Sequence, residues 1–426
     1  MNPSAEKAIF PGLFAISAIT MLERLAFFLT LSVILSYLQE EHALSITEAD
    51  QVYSTFWGLL IFSPLFLGWL ADFTNRRCVI ASGLLALLVG YIMLSLIPAD
   101  YNHKGYFPLI AIALGYGAFR PNMPVILGKL FDNNHMHHRG YIGFIVFHIF
   151  INMGALPAPF MAQFLKSSMG YEAVFLASAC IVFIAYLLFL LTRKYQEHIH
   201  LKTDVLNVKT ERSSHDHLFN EVVLVCLLLV IIPINMALYQ SDTALTFFIR
   251  DFPGQLDLMG TTIKSVRLFI VLGFSLVLAG VFYTLFRYSR FLLVQIISIG
   301  LVSTALGYAV LRMGLQLYGT TEPLSVLYVA VILMSLGEAL FAPLVIYTVY
   351  RTSPRHLKGL FMGLLGFLEA IASQLVMVTT GVYEKLGALV TFTIIGGLMA
   401  GLGILFFALQ LVLKYTYRRH HPEENS

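Results

Sequence analysis

The sequence predicts an all-α membrane protein, a bundle of twelve transmembrane helices in two six-helix halves. Three observations lead there. Apolar residues make up 58% of the 426 and charged residues only 12%, too few charges to coat a water-soluble globule of that length. Polar breaks cut the chain into apolar segments, each near the roughly 17 to 25 residues that cross a bilayer. One long polar stretch, 193–216, separates six such segments from six.

The first segment, 9–38, follows a short polar start, Met1 to Lys7. It is too long for a signal-peptide core and lacks a small-residue cleavage pattern, so it stands as the first helix. The others fall at 50–71, 77–98, 106–131, 140–166 and 172–192, then at 218–249, 265–287, 291–315, 323–350, 359–383 and 387–415. The expected organisation is an N-terminal half over 1–192, a charged linker over 193–216, and a C-terminal half with its tail over 217–426.

When alternate loops are assigned to opposite sides, eighteen of the 27 Lys and Arg fall on one side and seven on the other, with Arg24 and Arg120 inside spans. The seven include Arg267, placed at an outer loop. The positive-inside rule then puts both termini and the linker in the cytoplasm; the cell inner (plasma) membrane is the default expectation for this multi-pass protein. Cys78, Cys180 and Cys226 have no metal-ligand spacing and are expected to be small buried hydrophobes. His135, His137 and His138 sit together beside Arg139 in a loop and read as solvated residues rather than a metal site. No metal, cofactor or nucleic-acid partner is expected. Neither a metal-spaced His and Glu set on one helix nor a Gly-x-Ser-x-Gly elbow is present, which argues against an enzyme.

Charges inside spans are costly and mark functional candidates. Glu23 and Arg24 lie in the middle of the first segment. Neighbouring residues leave a helix roughly 100° apart, so each of the two is expected to find its own partner rather than neutralise the other. The halves also echo each other. Gly115-Tyr116-Gly117-Ala118-Phe119-Arg120-Pro121 in span four is matched by Gly337-Glu338-Ala339-Leu340-Phe341-Ala342-Pro343 in span ten. Duplicated halves imply transport by rocking about a central site. After span two, Gly68-Trp69-Leu70-Ala71-Asp72 leads to Arg76-Arg77. This resembles the major-facilitator signature, in which the glycine permits close helix approach and the acid sits near a neighbouring helix N-terminus. Gly68, Asp72, Arg76 and Arg77 are therefore candidate gating residues.

The collinear run of motifs resembles the proton-dependent oligopeptide transporter family. Phe10-Pro11-Gly12 and Thr20-Met21-Leu22-Glu23-Arg24 resemble its first helix; Gly117-Ala118-Phe119-Arg120-Pro121-Asn122 resembles Gly-x-x-Lys-Pro-Asn; Ile151-Asn152-Met153-Gly154-Ala155 resembles Ile-Asn-Leu-Gly-Ala; and Ala237-Leu238-Tyr239-Gln240 resembles Ala-Leu-Tyr-Glu. Gly359-Leu360-Phe361-Met362-Gly363 resembles span eleven. The resemblance implies a twelve-helix major-facilitator bundle. It also implies a monomeric secondary active transporter, coupling protons to uptake of a small peptide-like or zwitterionic solute. It assigns proton coupling to Glu23 and Glu338, with Asp242 two residues past Gln240 as a further acid. Substrate binding falls to Arg24, Arg120, Asn152, Tyr239, Gln240 and Glu338, and Glu338 is implied to face Arg120. Departures are specific: Thr20 replaces the first family glutamate, Phe27 and Phe28 replace two tyrosines, Leu31 replaces an arginine, and Gln240 replaces a glutamate. Proton-driven efflux of an amphipathic compound, or a transport-inactive sensor or scaffold, would suit the same fold.

Overall fold

The computed structural model describes residues 3–41, 44–96, 106–133, 136, 139–193, 214–250, 259–285, 290–318 and 324–420. The linker over 194–213 and His135, His137 and His138 lie outside the described residues. Among the described residues, twelve helices are long and apolar enough to cross a membrane. They are α1 Ile9–Glu40, α2 Ile46–Phe73, α3 Arg76–Leu96, α4 Phe107–Asp132, α5 Gly140–Met169, α6 Tyr171–Leu191, α7 Asn220–Tyr239, α8 Arg267–Thr284, α9 Phe291–Tyr318, α10 Ser325–Thr352, α11 Lys358–Val378 and α12 Thr380–Tyr415. Among the described residues there is no strand.

The chain divides into two compact units, one holding α1 to α6 together with Ser353–Phe367, the other holding α7 to α10 and the residues from Leu368 onward. In the first unit α3 packs on α4 and α6, α1 on α5 and α6, and α2 on α4. With lipid outside, the hydrophobic effect does little to hold helices together, and close packing and interhelical hydrogen bonds take over. The Ser63 hydroxyl donates to the Ala113 carbonyl at 2.7 Å, and Thr30 to Ser178 at 3.1 Å. At one end Glu40 accepts from Lys166 Nζ at 3.1 Å and from the Tyr171 hydroxyl at 2.7 Å, tying α1, α5 and α6. In the second unit α9 packs on α10; Tyr308 donates to the Ala237 carbonyl at 2.5 Å, and Ser298 to the Gly403 carbonyl at 2.6 Å.

Three spans of the first unit are interrupted, α1 at Ser32 and Val33. In α4 the helix runs to Phe119, turns at Arg120 and Pro121, and resumes at Asn122. Proline has no N–H to continue the ladder, and its ring clashes with the preceding turn. Asn122 repairs part of the loss, its side-chain amide donating to the Ala118 carbonyl at 2.8 Å. In α5 the break falls at Leu156 and Pro157. The cysteine expectation is corrected: Cys78 and Cys180 are exposed and Cys226 half-buried. A thiol is apolar enough to face lipid, so an apolar segment does not by itself imply an interior position.

Candidate functional site

Three polar assemblies stand out, two in the first unit and one in the second. The first surrounds α1. Gly154 of α5 lies so close to it that an added Cβ would overlap the Met21 carbonyl and come within 3.2 Å of the Arg24 Cβ. That contact fixes the register at which Glu23 and Arg24 sit. Glu23 is 0% exposed and Arg24 7%.

The expectation of separate partners for these two is overturned. Arg24 Nε donates to Glu23 Oε2 and its NH2 to Oε1, both at 2.7 Å, a two-pronged ion pair between successive residues. The 100° rule describes Cβ directions, whereas the arginine stem is long enough to fold its planar fork back across that angle. In the helix interior, where water is excluded, the paired geometry outweighs the freedom lost.

The same guanidinium reaches two rings, 5.1 Å from the Phe27 centroid and 4.9 Å from that of Tyr116. Phe27 and Tyr116 stack on each other at 4.7 Å. From the break in α4, Arg120 approaches the Tyr116 ring at 5.4 Å and donates from NH1 to its hydroxyl at 2.5 Å. Tyr116, one turn before Arg120, thus receives both arginines. Tyr116 is not among the candidates named from sequence, although its four-residue spacing to Arg120 was the available signal. Thr20, where the family has an acid, donates within its own helix to the Ile16 carbonyl at 3.0 Å.

The second assembly closes on Asp72. Its Oδ1 accepts from the Gly359 amide and its Oδ2 from the Leu360 amide, both at 2.8 Å. These amides belong to the first turn of α11, whose N–H groups have no partner within the helix. A carboxylate there also meets the positive end of the helix dipole. Arg76 donates to both Asp72 Oδ1 and Asn122 Oδ1. Gly68 permits the approach, since a Cβ on it would overlap the Gly359 carbonyl. Lys358 adds an ion pair to Asp132 at 3.7 Å. Arg77 is half-buried beside this cluster, its backbone amide donating to Asn75 Oδ1 at 3.1 Å.

The third assembly belongs to the second unit. Arg267 of α8 donates from NH2 to Glu338 Oε2 at 2.7 Å and from Nε to the same oxygen at 3.3 Å. The partnership implied for Glu338 was with Arg120; within its own half the carboxylate is held by Arg267. The outer-loop placement of Arg267 is corrected, for the residue is 8% exposed and helical. A cation at the margin of an apolar segment looks like a loop residue in sequence, and its burial becomes visible only through its acid partner on another helix.

Of the remaining candidates, Asn152 is buried and its side-chain amide donates to the His148 carbonyl of its own helix at 3.0 Å. Tyr239 is exposed at the end of α7. The side chains of Gln240 and Asp242 lie outside the described residues.

Comparison with known proteins gives a consistent picture. The Major Facilitator Superfamily model matches residues 16–377. The uncharacterized transporter YclF of Bacillus subtilis (strain 168) is 27% identical over 190 residues, 43% of this chain and 38% of that protein. Dipeptide and tripeptide permease A of Chromobacterium violaceum is 28% identical over 183 residues, 42% of this chain and 35% of that protein. These matches span well under half the length of either relative. Among solved structures, the human organic anion transporter MFSD10 (TETRAN) superposes with a TM-score of 0.68 at 15% identity, covering 93% of this chain and 98% of that one. A POT family transporter in complex with a thioalcohol-conjugated peptide gives 0.62 at 19% identity, covering 95% and 96%. At such identities the likeness establishes the fold.

Proposed function

The chain belongs to the major facilitator superfamily, whose members are transporters and not enzymes, and on that footing we propose that it is a proton-coupled symporter for a small peptide-like or zwitterionic solute. One observation carries the reading: Glu23 and Arg24 form a buried ion pair on a single helix, with Arg120 sharing the Tyr116 ring beside it. A proton on Glu23 removes the charge that holds Arg24. The guanidinium then becomes available, next to Arg120, to an anionic group on the solute. Proton and solute thereby favour each other's binding, which is the linkage a symporter needs.

Glu338 is the counterpart acid in the second half, with Asp242 a further one, and Asn152, Tyr239 and Gln240 offer hydrogen bonds to the solute. Gly68, Asp72, Arg76 and Arg77 act in gating, as the capping of α11 by Asp72 supports. The charge bias of the loops supports both termini being in the cytoplasm. It works as a monomer in the bilayer.

Reconstituted into liposomes, the protein is expected to accumulate radiolabelled trialanine when the outside is acid and to lose accumulation in Glu23→Gln. Equal flux with and without the gradient would sink the coupling. Proton-driven movement of lipophilic cations without peptide flux would transfer the protein to the efflux reading, and binding without flux to that of a sensor.

A further inference from the structure

Arg120 stands at the break of α4, on a backbone that α2 holds in place: a Cβ built on Gly68 would come within 3.3 Å of the Pro121 Cβ. The residues of α11 up to Phe367 belong to the same compact unit as α1 to α6. They are pressed on α2 as well. A Cβ on Gly363 would lie 2.4 Å from the Pro64 carbonyl oxygen, and the Phe367 and Phe62 rings meet at 5.3 Å between centroids. Between those two contacts lies Gly366, which is buried. A Cβ placed there would stand 3.6 Å from Arg120 NH1, 3.7 Å from Cζ and 4.0 Å from Nε, so the α11 backbone runs along the guanidinium itself. Tyr116 bounds the same guanidinium, with its ring centroid at 5.4 Å and its hydroxyl accepting from NH1 at 2.5 Å. A methyl group at 366 would rest in ordinary contact. A longer side chain must either displace the fork or break the packing of Gly363 and Phe367 on α2.

We propose that Gly366 is a specificity-determining residue, whose missing side chain gives the Arg120 fork the room it needs to align with a carboxylate of the solute. The inference rests on the reading of Arg120 as a solute-binding residue. The motif that this stretch of α4 resembles has lysine where Arg120 stands. An ammonium is a compact point charge that meets an anion from many directions. A guanidinium is a broad plane that grips a carboxylate through two parallel N–H bonds, and it must be able to turn into line. Any bulk added at 366 falls on that plane, because the built Cβ lies within 4.0 Å of three of its atoms. The group selected is therefore a planar anion, a free carboxylate, over a neutral amide of the same size. Gly366 offers no polar side chain to the solute and acts through Arg120 as a positioning residue.

The test measures binding of trialanine and of trialanine amide, whose C-terminus is uncharged, to the purified full-length protein by calorimetry. The ratio of the two dissociation constants reports carboxylate recognition. The parent is expected to prefer trialanine, and Arg120→Gln to lose much of that preference. Gly366→Leu is expected to weaken trialanine about tenfold and to leave the amide where it was, whereas Gly366→Ala should weaken trialanine by no more than about twofold. Arg120→Lys combined with Gly366→Leu is expected to recover part of the preference, because the slimmer ammonium clears the leucine. A Gly366→Leu protein that keeps the parental ratio, or that loses both ligands equally, would overturn the inference and leave Arg120 as a binding residue. If Gly366→Leu fails to fold in a thermal melt, adding Arg120→Lys should restore the transition, and no recovery overturns the inference too. A parent that does not distinguish the two ligands, or an Arg120→Gln protein with the parental ratio, takes the carboxylate away from Arg120 and the role of Gly366 with it.

Discussion

Each half of the molecule holds an arginine–glutamate pair, buried in the first and part-buried in the second, and the two are built on different plans. Glu23 and Arg24 are neighbours on α1, joined by two parallel hydrogen bonds to two oxygens. Arg267 and Glu338 come from α8 and α10, and both donors converge on one oxygen. Helix motion does not pull the first pair apart, because both members ride on the same turn. The second pair spans two helices and responds directly to any shift between them. One is suited to sensing chemistry and the other to sensing geometry.

The largest expected effect breaks the first pair. Glu23→Gln leaves the Arg24 charge buried without its carboxylate, which should cost about 3–5 kcal/mol of stability, seen as a clear fall in the thermal melting temperature. Neutralising both residues in Glu23→Gln with Arg24→Gln should restore most of the loss, because no uncompensated charge remains. If the double variant is no better than the single, the pair is not the source of the cost.

Next in size is Glu338→Gln, at about 2 kcal/mol, for its carboxylate is less deeply enclosed than that of Glu23. Lysine substitutions sharpen the contrast. Arg24→Lys forfeits the fork across two oxygens and should cost about 2 kcal/mol, whereas Arg267→Lys, replacing donors that meet at one oxygen, should cost less than about 1 kcal/mol. Equal losses in the two would show that the fork geometry is unimportant.

The smallest effect concerns salt. Raising ionic strength to about 1 M, where screening acts over about 3 Å, should reduce the cost of Glu338→Gln measurably and that of Glu23→Gln hardly at all. The reverse order would place the more accessible pair in the first half.

The number of spans and most of their limits were legible in the sequence, because lipid demands long apolar runs and polar breaks end them. The Asp72 cluster was half legible: an acid after Gly68 announces that it will meet a helix N-terminus, but that the amides are those of Gly359 and Leu360, far along the chain, is a property of the fold. Arg24 was misjudged because spacing rules speak of where side chains start and not how far they reach. Arg267 was misplaced because a cation near the end of an apolar run carries the same local pattern whether it faces water or an acid. Tyr116 and Tyr91 look alike as letters within apolar helices. One gathers two arginines and the other holds an unused hydroxyl, and only the surroundings tell them apart.

Gly154 contributes no functional group, yet it sets the tolerance of the whole central cluster. Its missing carbon allows the backbone of α5 to rest on the Met21 carbonyl, and the position of the Arg24 fork follows from that contact. An alanine there would wedge α1 outward, moving a guanidinium whose distances to Glu23, Phe27 and Tyr116 are all set together. A single methyl group on the neighbouring helix would therefore disturb several contacts at once, at a position that carries no polar group of its own.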